Sequence, residues 1–105
     1  MRTSLAGGLK PNKEDCRARP EHLEDIPKIM DLLRALNDPL ANIGRLVGAI
    51  SVLAARCIFR AQASSPKLEI KSIDHALTLI GNKGLESELL QLLEDLTILK
   101  AEQDE

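Results

Sequence analysis

Aromatic side chains are almost missing from this chain of 105 residues: Phe59 is the only one, with no Trp and no Tyr. A base-stacking nucleic-acid platform needs several exposed rings, so the composition speaks against that class. Cysteine is scarce too. Cys16 and Cys57 stand forty-one positions apart, too few and too scattered for a zinc framework. Cys57 falls on an expected buried face and reads as a small apolar residue, and Cys16 reads as an incidental thiol. No run approaches the roughly 20 apolar residues that span a bilayer. MRTSLAGGLK has too little apolar sequence for a secretory signal. A cytoplasmic protein without a membrane partner is the expectation.

Histidine is as rare. His22 and His75 are the only two, and metal hydrolysis of the His-Asp type needs three or more converging ligands. Asp74-His75 is the reverse of a His-Asp dipeptide, and Asp74 most simply complements the start of a helix. No G-x-S-x-G and no Cys–His nucleophile pattern occurs. The sequence therefore gives no catalytic residues, and no metal or cofactor is expected.

What is present is aliphatic and periodic. Apolar residues make up 44% of the chain, enough for a packed core without a disulfide or metal. Ile26, Ile29, Met30, Leu33 and Leu36 recur at helical spacing, with Pro27 acceptable in the first turn. Asn37-Asp38-Pro39 ends that helix. Asp38 and Pro39 then start the next, in which Leu40, Ile43, Val47, Ile50, Ala54, Cys57 and Ala61 run on in threes and fours. One continuous helix over residues 40–63 is expected, with Gly44 and Gly48 as a smooth patch. Ser72 caps a short helix over 72–80, and Gly81 stops it. A Gly81-Asn82-Lys83-Gly84 turn leads to a last helix from about Leu85 to Lys100. Lys83 in that turn could help cradle an anion, although a plain helix–helix turn is the simpler reading. The fold class is all-α: a small bundle of about four helices with one long central helix. Residues 1–19 read as a flexible leader and 20–105 as the helical domain.

Charge is uneven. Residues 1–19 hold five bases against two acids, and residues 84–105 one base against seven acids, while the whole chain is at −2. Such asymmetry can steer association.

The stretch SIDHALTLIG, with its capping serine and terminal glycine, resembles one element of the HDOD domain, an all-helical bacterial signalling domain. IPKIMDLLRALNDP is similar to that domain's opening helix, LANIGRLVGAIS to its second and LAARCIFRAQASS to its third. About sixty residues align in order and cover the N-terminal part of the family domain only. The resemblance implies a non-catalytic signal-transduction role, because HDOD domains lack the metal residues of the HD-type phosphohydrolases they are related to. The chain departs from the pattern in three places. The family's aspartate-proline turn between its second and third helices is missing, Gln62 and Ala63 replace an asparagine-serine pair, and the later helices are not matched.

The expected function is a signalling or scaffolding module working through helix-mediated protein contact, with a protein partner or a second copy of itself. The leucine stripe Leu85, Leu89, Leu92, Leu96 and Leu99, together with Ile43, Val47 and Ile50, forms the candidate interface. The alternative is a small nucleic-acid-binding regulator using the basic leader with Arg45, Arg56 and Arg60.

Overall fold

Local sequence explains where each helix begins. In the computed structural model, which describes residues 11–103, a 3-10 turn over Pro20–Asp25 leads into α1 (Ile26–Ala35), α2 (Ile43–Gly48), α3 (Ser51–Ser64) and α4 (Ile73–Gln103). No strand occurs among the described residues. Pro20 and Pro27 each sit in a first turn, where the missing N–H would have had no helical partner. Asn42 caps α2 by accepting the Arg45 N–H on its side-chain oxygen at 3.1 Å, and Ser72 Oγ does the same for the His75 N–H at 3.0 Å.

The expected continuous helix over 40–63 is corrected in two places. Residues 38–42 form a loop, because Asp38 Oδ1 accepts the Leu40 N–H at 2.9 Å. That bond makes an Asx turn rather than a helix cap, and it leaves Leu40 92% exposed. The second break comes after Gly48. Ala49 ends α2, and Ile50 takes an extended conformation (φ −117°, ψ 94°) before α3 starts. Gly48 lowers the helical propensity there, and the turn drives Ile50 into the core, where it is 1% exposed. The three–four spacing runs across the break because the same apolar face serves both helices. The long helix is instead the C-terminal one, α4, whose 31 residues bend at Gly81.

Gly81 has φ 71° and ψ 174°. Positive φ with extended ψ belongs essentially to glycine alone, so this residue sets the bend. The helix resumes at once with Asn82, so the expected four-residue turn shrinks to a single residue. Gly84 is needed for another reason. A Cβ there would lie 2.9 Å from Ile80 Cβ and 3.4 Å from Arg60 Nε, so only a hydrogen allows these side chains so close. Gly44 likewise meets the Asp74 carboxylate, with which a Cβ would collide, whereas Gly48 faces open space.

The main core joins Ile29 and Leu32 of α1, Val47 of α2, Ile50, and Val52, Leu53 and Cys57 of α3 to Leu85, Leu89, Leu92 and Leu96 of α4. The leucine stripe is thus the spine on which α1, α2 and α3 pack. A smaller cluster of Ile58, Ala61, Ile70 and Ala76 holds the α3–α4 connector. Gln62 fixes that connector, donating from Nε2 to the carbonyls of Ser65 (3.2 Å), Pro66 (3.2 Å) and Leu68 (2.9 Å).

Of the segment expected to be a leader, residues 1–10 lie outside the described residues. In residues 11–19, Asn12 and Asp15 cap one another's backbone N–H groups. Ala18 packs against the core.

Candidate functional site: the outer face of helix α3

The candidate interface residues are brought together, but inside the molecule. Leu85 and Ile50 are 1% exposed, and Leu89, Leu92, Leu96 and Val47 are at 0%. Ile43 and Leu99 are partly buried against the same cluster. The expectation that this stripe is a free interface is corrected: α1, α2 and α3 pack onto it within the chain. Of its flanks, Leu90 and Ile98 remain open, each 52% exposed.

The alternative set fares differently. Arg56 and Arg60 share the outer stripe of α3 with Phe59 and Ala63, at positions i, i+4, i+3 and i+7 of one helix face. Both arginines turn sideways onto α4. Arg56 Nη2 meets Asp95 Oδ2 at 2.9 Å, and its Nε donates to the Cys16 carbonyl at 2.7 Å. Arg60 Nη1 meets Glu88 Oε2 at 3.1 Å. A phosphate-binding face needs unopposed charge, and here each arginine already faces a carboxylate. Arg45 stands apart on α2.

Phe59 stands between these paired charges and Ala63. Phe59 is 37% exposed and separates two clefts. One, of about 410 Å³, is lined by Cys16, Arg56, Phe59, Arg60 and Glu88. The other, of about 400 Å³, is lined by Pro11, Phe59, Gln62, Ala63 and Pro66. The scarcity of aromatics marked Phe59 out in the sequence, but not its exposure, since α3 carries apolar residues on several sides.

Neither thiol is activated. Burial pushes the Cys57 thiol up to about 12, with Glu88 adding to the rise. Burial also raises Cys16, against a lowering by Arg56. A thiolate nucleophile needs the opposite shift. Both histidines serve local backbone contacts: His22 Nδ1 accepts the Arg19 N–H at 3.1 Å, and His75 Nδ1 lies 3.4 Å from the Lys71 N. Among the described residues no three His, Cys, Asp or Glu side chains gather as a metal set, and no helix is long and apolar enough to cross a membrane. The cleft at the Gly81 bend, lined by Ile43, Gly44, Asp74, Leu77, Thr78, Gly81, Asn82 and Leu85, contains a carboxylate and no base. Its charge is wrong for the anion cradle considered for Lys83.

Comparison with family models, with curated proteins and with solved structures finds no match to this chain.

Proposed function

We propose that the chain is a non-catalytic signalling or scaffolding module that acts by protein–protein contact, as its resemblance to the HDOD domain implies. The observation that carries this reading is the outer face of α3. The chain's one aromatic stands there at the surface between two clefts, with the neighbouring arginines held by carboxylates. Large apolar rings at the centre of a patch are the usual anchors of protein contacts. The break at Ala49–Ile50 adds support, since it separates α2 from α3 where the resembled domain also changes helices.

Retention of labelled single- and double-stranded nucleic acid at low salt tests this against the regulator reading. The protein-contact reading expects no retention. Binding whose logarithm falls linearly with the logarithm of salt concentration would instead establish phosphate contacts.

A further inference from the structure

Residues 11–18 run along the outer face of α3 and wall both clefts beside Phe59. Pro11 lines the cleft that Phe59 shares with Ala63 and Pro66, and Cys16 lines the one at Arg56 and Arg60. The segment then crosses to α4, where Arg17 and Ala18 line a further cleft with Asp95, Ile98 and Leu99. Its own bonds are short-range. Asn12 and Asp15 cap each other, the Cys16 and Arg17 N–H groups donate to the carbonyls of Lys13 and Glu14, and Arg17 pairs with Glu14. Among the described residues a single hydrogen bond ties residues 11–18 to the bundle, from Arg56 Nε to the Cys16 carbonyl at 2.7 Å. Asp95 holds the same guanidinium at 2.9 Å and aims it, and Ala18 adds a contact with the main core. A segment with so few ties opens at a lower cost than global unfolding.

We propose that residues 11–18 are a releasable strap, latched by Arg56, that sets how much of the Phe59 face lies open. On release each cleft loses one wall, Pro11 from one and Cys16 from the other, and the flank of Phe59 is bared. Arg56 suits the latch by its shape. Its planar fork reaches a carboxylate and a carbonyl at once, which the single ammonium of a lysine does not. The latch stands on its own contacts, and its role as a gate rests on the protein-contact reading.

Limited trypsin digestion of the full chain, followed by mass spectrometry, reads the strap at Lys13 and Arg17 under conditions where cleavage tracks the open population. Arg56→Lys is expected to speed cleavage there by roughly 10-fold or more, as loss of one charge-assisted hydrogen bond does. The Ala18 methyl resonance should move towards its unfolded position, and a soluble paramagnetic reagent should broaden Phe59 more than in the wild type. Asp95→Asn, which removes the charge that aims Arg56, is expected to act in the same direction and decides the matter should Arg56→Lys fail to fold. Arg60→Ala breaks the pair with Glu88 but no bond to the strap, and should leave strap cleavage unchanged. An unchanged rate at Lys13 and Arg17 in Arg56→Lys overturns the latch. So does a rise matched at sites inside α3 and α4, because that reports loosening of the whole bundle. Strap release without added broadening at Phe59 overturns the gate. Salt-dependent nucleic-acid retention would overturn the protein-contact reading and leave the latch standing, so the failures are distinguishable.

Discussion

Replacing Leu92 by Ala removes three heavy atoms from a side chain that is 0% exposed and belongs to the main core. The lost transfer energy and the cavity left behind together cost about 2–5 kcal/mol. Leu92 is held on one rigid helix and covered by others, so little collapse into the cavity is available and a value of about 3–4 kcal/mol is expected. Leu90→Ala is the matched control. It removes the same atoms two positions earlier from a side chain 52% exposed, and a surface change of this kind stays within about 0.5 kcal/mol. A domain of this size has roughly 5–15 kcal/mol in total, so the Leu92 variant loses a large part of its margin. Urea unfolding followed by circular dichroism at the helix band measures both, since the chain has no Trp to report by fluorescence. Equal unfolding energies for the two variants, within about 0.5 kcal/mol, would refute the placement of the stripe inside the molecule.

Gly81→Ala meets no atom within 4 Å but must adopt φ 71°, so urea unfolding is expected to show a loss of about 1–3 kcal/mol from backbone strain alone. Arg56→Ala removes the bonds to Asp95 and to the Cys16 carbonyl. Its largely buried side chain, 11% exposed, puts the loss at about 2 kcal/mol, against under about 1 kcal/mol for the more exposed Arg60→Ala. Cys57 should react with iodoacetamide only on unfolding, because burial holds its thiol at about 12. The linked stability has a definite sign. The unfolded thiol ionises near its ordinary value of 9.0, so this contribution is complete below that pH and is lost as pH climbs from there towards about 12. Equilibrium unfolding of wild type and Cys57→Ala across that alkaline range checks it.

Local signals in the sequence served well wherever one residue type does one job. Ser72 caps its helix, Gly81 ends a helical run, and the stripe from Leu85 to Leu96 is apolar because it is buried. Periodicity misled at Ile50, where spacing that continues in threes and fours is equally compatible with one helix or with two that share a core. It misled again at Asp38-Pro39, because an aspartate can cap a helix or bond the N–H two residues on, and here Asn42 takes the capping role. The candidate surface was the least legible part. Counting leucines gives the width of an apolar face but not how many helices cover it, and pairing of Arg56 and Arg60 with Asp95 and Glu88 joins residues nearly thirty or forty positions apart. Gln62, a departure from the resembled pattern, turned out to fasten the connector through three carbonyls.

The central claim is that the leucines form the inside of one chain while the outer face of α3 lies open to solvent, as the proposed contact surface must. Methyl and amide NMR spectra of the labelled full chain, titrated with a soluble paramagnetic reagent, test it most directly. Broadening is expected at Phe59, Ala63 and Leu68, on and beside that face. The methyls of Leu89, Leu92 and Leu96 should stay sharp. Broadening centred on those three leucines, with Phe59 protected, would contradict the account.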